Sequence, residues 1–382
     1  MAPRYDVAVI GAGIHGAGVA QAAAAAGHRV LVLEKSEPAA GTSSKSSKLI
    51  HGGLRYLETP QFGLVRESLR ERELLLRLAP GLVTRLPFYI PVYASMARGP
   101  LTMRAGLSLY ALLGGLAPAM RFRSLPRAAW GSLGPLSHEG LRAVFAYRDA
   151  RADDAALVRA VLDSAKALGA TVEMPARLES ASRREDGWVL RLADGTERFA
   201  SVVVNAAGPW VAQVQRRAGL PAVDVELVQG AHVEYDAPIS EGAIYVESPV
   251  DRRPVFLLPW RGGTLVGTTE TLFRGNPDDV TPLPGEIDYL EATLRRYVPE
   301  FRGRRTGAWA GLRVLPRSAT DPNARRRGTM FVTDEPAAPR WIAVCGGKLT
   351  TYRETAGKVM RLAAPSLPAR TGRDTATIPL GS

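Results

Sequence analysis

The stretch Gly11-Ala12-Gly13-Ile14-His15-Gly16 has the residue types and spacing to hold a diphosphate. Glycine at the first position permits a tight turn, at the second it lets the backbone approach the phosphates, and at the third it allows a helix to pack closely on the preceding strand. Free N–H groups at the start of that helix would then face the anion. Glu34, farther along, is placed to accept hydrogen bonds from an adenosine ribose, and its charge disfavours a cofactor with a 2′-phosphate. The fingerprint by itself leaves FAD and NAD both open. No metal site is expected: His15, His28, His51, His138 and His232 lack ligand spacing, and the single cysteine, Cys345, excludes an intrachain disulfide and reads as a small buried residue.

Elements that would position the fingerprint surround it. The apolar run Asp6 to Ile10 reads as a strand buried on both faces. An alanine-rich helix ends at Gly27, and Arg29 to Glu34 forms a second strand, giving a βαβ unit. Helical spacing of apolar residues predicts helices over 62–78, 153–168, 286–298 and 352–362. Asp153 and Asp154 at one helix start read as cap and dipole partners. Strands are predicted at 171–174, 188–192 and 201–206, the last running into the turn at Gly208. From 223 to 269 the strand candidates 229–235, 255–258 and 264–267 dominate, which suggests a second domain built on a largely antiparallel sheet. The Pro-, Arg- and Thr-rich end, 371–382, reads as a loose tail.

A chain of 382 residues with 46% hydrophobic content can build an ordinary globular core, so extensive disorder is not expected. Its formal net charge of +12 favours an anionic partner: a phosphorylated metabolite, an acidic lipid headgroup or a nucleic acid. Nucleic acid is not expected, because no recognition module of clustered aromatic and basic residues is present. The uncharged run Ala105 to Met120 is too short and interrupted to span a bilayer. Arg98, Arg104, Arg121, Arg123 and Arg127 flank it, as they would a membrane-surface element, although the pattern alone favours a buried connector helix with solvated ends. The N-terminus enters an apolar strand at once, without a signal-peptide cleavage region.

The block Gly41-Thr42-Ser43-Ser44-Lys45-Ser46-Ser47-Lys48-Leu49-Ile50-His51-Gly52-Gly53-Leu54-Arg55-Tyr56-Leu57-Glu58 closely resembles the FAD-dependent glycerol-3-phosphate dehydrogenases, within the flavoproteins related to D-amino acid oxidase. The resemblance continues through Asn205 to Trp210, Gln229 to His232, Arg253, Phe256 to Trp260, Gly267 to Thr269, Gly311 to Arg313 and Gly346 to Arg353, and so covers nearly the whole chain. It implies an α/β fold: a Rossmann-like FAD-binding domain over 1–84, 141–222 and 308–370, and a discontinuous antiparallel-sheet substrate domain over 85–140 and 223–307. It also implies noncovalent FAD and oxidation of sn-glycerol 3-phosphate to dihydroxyacetone phosphate by hydride transfer to flavin. Electrons would pass to quinone or another acceptor, from a cytoplasmic protein peripheral on the inner face of the membrane. The alternative is a related dehydrogenase or oxidase of another small anionic hydroxy or amino compound. The family commonly carries a further C-terminal helical domain that this sequence lacks, which leaves oligomeric state open. Ala231 stands where a serine is typical, and Cys345 where a phenylalanine is typical.

By the same resemblance His232, Arg313 and Lys348 are the expected catalytic residues, and Arg55, Tyr56 and Arg253 the substrate-binding ones. Gly11, Gly13, Gly16, Glu34, Lys35, Thr42, Ser43, Ser44, Ser47, Leu49, Gly208, Gly347, Leu349 and Thr350 are expected at the cofactor. The chemistry agrees with the residue types. A histidine near its ordinary pKa of about 6.5 accepts a hydroxyl proton at neutral pH. Guanidinium groups match phosphate oxygens or a developing carbonyl oxygen, with the division of labour among the arginines open. Lys348, after two glycines and before a helix, is suited to negative charge on reduced flavin.

Overall fold

Arg4–Ile10 forms the first strand, with its last five residues buried. It lies between two parallel neighbours, Val30–Leu33 and Glu197–Asn205. Side chains alternate across this sheet. Val7, Val9, Val30 and Val32 enter one apolar cluster, while Ala8, Ile10, Leu31 and Leu33 enter another on the opposite face. This two-sided burial explains why the sequence shows an unbroken apolar run there. The computed structural model describes residues 3–57, 61–317 and 328–381; the side chains of Arg55 and Tyr56 lie outside the described part.

Helix Ile14–Ala25 is apolar around most of its circumference because it is packed between two other helices, Asp154–Ala167 and Tyr352–Ala363. Small residues permit the close approach. A Cβ at Gly16 would stand 1.8 Å from the Gly11 carbonyl oxygen, and one at Gly18 would stand 2.6 Å from the Tyr352 ring. Among the described residues this sheet has eight strands, with the path Met330–Thr333, Trp341–Cys345, Glu197–Asn205, Arg4–Ile10, Val30–Leu33 and Thr171–Glu173. A hairpin, Leu178–Arg184 and Gly187–Leu192, joins antiparallel to Glu197–Asn205.

A second, ten-stranded sheet follows the path Thr271–Phe273, Val225–Tyr235, Gly263–Gly267, Pro254–Trp260, Ala243–Glu247, Val83–Tyr93, Leu141–Ala152 and Leu49–Ile50. Arg305–Pro316 also pairs with Val225–Tyr235, and Arg123–Ser124 with Leu141–Ala152. Among the described residues its pairings are antiparallel except that between Ala243–Glu247 and Val83–Tyr93. One face packs on helix Pro284–Tyr297 through Leu290, Leu294 and Tyr297; the other packs on helix Pro100–Leu113 through Met103, Leu107 and Tyr110.

The structure departs from the sequence expectations in three places. The expected boundaries at 85, 141 and 308 cut through or separate strands that belong together: Val83–Tyr93 pairs with Leu141–Ala152 along nearly its whole length, and Arg305–Pro316 pairs with Val225–Tyr235. The end of the chain is not loose. Ile378 and Leu380 are buried, the Leu380 N–H donates to the Leu78 carbonyl at 2.7 Å, and the Arg373 N–H donates to Ala25 at 2.8 Å. Two apolar side chains thus tie down a segment whose composition suggested otherwise. Finally, the run Ala105 to Met120 is not a fully buried connector helix: it is the second part of helix Pro100–Leu113, then a turn, then a short helical turn at Pro118–Met120, and Leu112 and Leu116 stay 58% and 55% exposed.

Candidate active site

A cavity of about 470 Å³ lies along the carboxyl ends of the parallel strands, where adjoining strands send their chains to opposite sides of the sheet. Gly11, with φ +100°, turns away from its strand toward the neighbouring loop; a Cβ on it would reach 2.8 Å from the Ala206 carbonyl oxygen. Gly13 begins the helix with no side-chain cap, and the first turn carries no acidic residue, so the positive end of the helix is kept for an anion. Ser43 backs this turn by accepting the Ile14 N–H at 3.0 Å. Glu34 is buried, and its carboxylate is aimed by the N–H groups of Ala12 at 2.7 Å and Ser36 at 2.9 Å. Lys35 lies over the Trp210 ring at 3.8 Å and reaches Asp278 at 2.5 Å.

Of the residues expected at the cofactor, Gly11, Gly13, Glu34, Lys35, Thr42, Ser43, Ser47, Leu49, Gly208, Gly347, Leu349 and Thr350 line this cavity. Gly16 and Ser44 do not. Gly16 supports helix packing, and Ser44 contacts the chain itself, donating to the Gly41 carbonyl and accepting from Lys48.

His232, Arg313 and Lys348 line the same cavity. His232 is 2% exposed; its Nε2 lies 2.9 Å from Ser47 Oγ, and its ring stacks on Trp309 at 4.1 Å and 21°. Gly267 leaves room for that ring, since a Cβ there would stand 2.1 Å from Cδ2. Burial, and then the charges of Arg313 and Lys48, hold His232 well below the ordinary histidine pKa, so it is neutral at physiological pH. Arg313 directs Nη2 to Thr268 Oγ1 at 3.4 Å and Nη1 to Glu270 at 3.6 Å. Lys348 Nζ donates to Ser68 Oγ at 3.1 Å. Gly347, at φ +92°, keeps the chain close to His15; a Cβ would stand 2.4 Å from that ring.

Arg253 is not among the cavity residues: its Nε faces Asp251 at 3.2 Å and its Nη1 donates to the Glu270 carbonyl at 3.1 Å. Arg55 and Tyr56 are on a short helical turn, Leu54–Leu57, and their side chains lie outside the described residues. Three further groups stand beside the site. His51 lines the cavity, and burial takes its pKa down to about 4, with Lys348 and Arg72 acting in the same direction and Asp149 opposing. Lys48 is buried; it donates to Asp154 at 2.8 Å and to the Ser44 carbonyl at 2.7 Å, and its ammonium stands 4.8 Å from the Trp309 ring centre. Trp309 thus contacts both a cation and the His232 ring. No periodicity marks Trp309 in the sequence, whereas Lys48 falls inside the Gly41 to Glu58 block.

A dinucleotide cradle facing a histidine, an arginine and a lysine across one cavity defines an enzyme that sets a nucleotide cofactor against a small polar substrate. Residues 6–353 match the family model described as FAD dependent oxidoreductase, and the chain belongs to that family. It is 37% identical to the D-erythritol 1-phosphate dehydrogenase of Brucella abortus over 98% of this chain and 76% of that protein. It is 36% identical to the aerobic glycerol-3-phosphate dehydrogenase of Escherichia coli over 94% of this chain and 73% of that protein. Among solved structures it resembles the glycerol-3-phosphate dehydrogenase of Bacillus halodurans complexed with FAD, with a TM-score of 0.73 and 25% identity over 99% of this chain and 68% of that one. The protein is an FAD-dependent oxidoreductase. The cradle fits that cofactor: glycines whose Cβ atoms would collide, an uncapped helix start and a buried, aimed carboxylate are what an ADP moiety needs. Among the described residues there is no metal-ligand cluster, and no helix is long and apolar enough to cross a membrane.

Proposed function

We propose that the protein oxidises a small polyol phosphate, sn-glycerol 3-phosphate to dihydroxyacetone phosphate, and delivers the electrons to quinone or another acceptor. Bound FAD supplies the hydride acceptor. Neutral His232 receives the hydroxyl proton at Nε2, with Ser47 Oγ in hydrogen-bond contact as the relay. Its depressed basicity belongs to the substrate-free site; a phosphate dianion beside Arg313 would offset the arginine's charge and raise the histidine's proton affinity as substrate binds. Arg313 and Lys348 carry the positive charge for the phosphate or the forming carbonyl oxygen. Arg55, Tyr56 and Arg253 enter as substrate-side residues on the family resemblance, and Arg253, tied to Asp251 and Glu270, would act at a distance from the cavity.

The observation that supports this reading best is the His232–Ser47 contact beside Arg313, in the cavity that also contains the nucleotide cradle. D-Erythritol 1-phosphate is the second candidate, because the Brucella abortus dehydrogenase acting on it is 37% identical. Anaerobic mixing of the flavin-loaded protein with either compound tests both: bleaching of the oxidised flavin spectrum is expected. No bleaching at millimolar glycerol 3-phosphate would refute that substrate, and faster bleaching by the four-carbon compound would replace it. For location, the exposed apolar face of helix Pro100–Leu113 and its neighbouring arginines support peripheral contact with an acidic membrane surface.

A further inference from the structure

The Val225–Tyr235 strand loses its neighbour beside His232. On that side, the ladder with Gly263–Gly267 ends at His232 opposite Gly267, and pairing resumes only at Gln229 opposite Thr271. Gly230 and Ala231 therefore face three residues, Thr268 to Glu270, in an interruption of the ladder. A long backbone bond, from the Thr269 N–H to the Ala231 carbonyl at 3.4 Å, and side chains bridge it. Thr269 Oγ1 accepts the Ala231 N–H at 2.8 Å and donates to Glu286 Oε1 at 2.7 Å. Thr271 Oγ1 donates to the same carboxylate oxygen at 2.8 Å, while Gln229 Nε2 and the Leu283 N–H donate to the other at 2.6 and 3.1 Å.

Glu286 is thus a buried carboxylate with four donors, in the first turn of helix Pro284–Tyr297, where the helix dipole favours its charge. Two of the residues it holds, Thr269 and Thr271, alternate along the chain with those that set Arg313. Thr268 and Glu270 contact the two ends of the guanidinium, and Gly230 must lack a side chain because a Cβ would stand 2.6 Å from Thr268 Oγ1 and 3.1 Å from Arg313 Nη2. We propose that Glu286 is a positioning residue for oxidation: by fixing Thr269 it fixes the Thr268–Glu270 segment, and through that segment the direction in which Arg313 meets the substrate. This rests on the reading that Arg313 meets an anionic substrate.

Glu286→Gln presents an amide NH2 to one pair of donors and so breaks half the network without changing shape. Thr269→Val removes the bridge, and Thr269→Ser keeps its hydroxyl. The test compares flavin-loaded wild type and variants by anaerobic flavin reduction with glycerol 3-phosphate or D-erythritol 1-phosphate, FAD affinity, and amide exchange over 225–235. Displacing a positioned group by about 1 Å costs on the order of 100-fold in rate, and that loss is expected for Glu286→Gln and Thr269→Val. FAD affinity should be unchanged, exchange at Ala231 faster, and Thr269→Ser within about threefold of wild type. Unchanged reduction rates with faster exchange would overturn the positioning role. Unchanged exchange would overturn the network itself, as would a Thr269→Ser as impaired as Thr269→Val. Wild type that neither phosphate reduces would overturn the substrate reading, and with it Glu286's catalytic part; exchange would then still decide the network.

Discussion

Lys48 and Asp154 form a buried pair under the substrate side, with side chains 10% and 1% exposed. Replacing Lys48 by Met removes the cation and keeps the stem. Breaking a buried pair costs about 3–5 kcal/mol, because one charge is left uncompensated. The lower end applies here. Asp154 still accepts from the Ser46 N–H at 3.1 Å, Ser46 Oγ at 2.7 Å and the Ala155 N–H at 2.9 Å, and it begins helix Asp154–Ala167. Lys48 sits at φ +59°, but methionine must adopt the same conformation, so backbone strain cancels between the two proteins. A loss of about 3 kcal/mol corresponds to a melting point lower by roughly 4 °C in a chain of this size. Asp154→Asn should cost a similar amount, and the double variant far less than the sum, with a coupling of about 2–3 kcal/mol. Thermal unfolding of the four holoproteins measures the cycle; losses that add within about 0.5 kcal/mol would refute the buried-pair reasoning. The pair has a second readout. Lys48 depresses the proton affinity of His232, so Lys48→Met raises it and moves the acid limb of the flavin-reduction profile to higher pH. Lys48→Arg, which keeps the charge, should leave that limb in place.

Two further outcomes follow from other features. Burial lowers His15 and His51 to about 4, against about 6.5 unfolded, so the unfolded chain binds protons that the folded chain refuses as pH falls below 6.5. Their contribution is intact above that pH and lost toward pH 4, by about 2 kcal/mol per histidine between pH 7 and 5; urea titrations showing equal stability at both would contradict it. The surface made by Leu101, Leu112 and Leu116 with Arg104, Arg121 and Arg123 should pellet with anionic vesicles at low salt and be released at high salt. Leu112→Asp should weaken that association, and a wild-type protein that stays in the supernatant at low salt would rule it out.

Local pattern carried the nucleotide half of the molecule. Strand, glycine turn and helix are contiguous, and the apolar run from Asp6 to Ile10 reports burial on both faces. Val83–Tyr93 carries Pro87 and Pro91, which weaken a strand pattern; they are accommodated beside a pairing with Ala243–Glu247 that involves only Phe88 and Tyr89. At the site, Ser47 was legible from the long block, but its contact with His232 joins residues 185 positions apart. Trp309, Thr268 and Glu286 act through tertiary placement, which periodicity does not encode. Arg253 is marked by family resemblance alone, and its own contacts run to Asp251 and the Glu270 carbonyl.

The chain passes from the first sheet to the second between Leu33 and Leu49, returns between Ala152 and Thr171, leaves again between Asn205 and Val225, and returns between Pro316 and Met330. Each half is therefore sewn to the other at four places, and no contiguous fragment contains one sheet complete without strands of the other. A swinging motion about one linker has no axis here, since the described connections at 34–48, 153–170 and 206–224 must bend together. For anyone recombining this enzyme with a relative, a single crossover cannot transplant a substrate half. The exchange must be made in register at every seam, and seams such as Thr42 to Leu49 and Ala206 to Gly208 are themselves parts of the cavity wall.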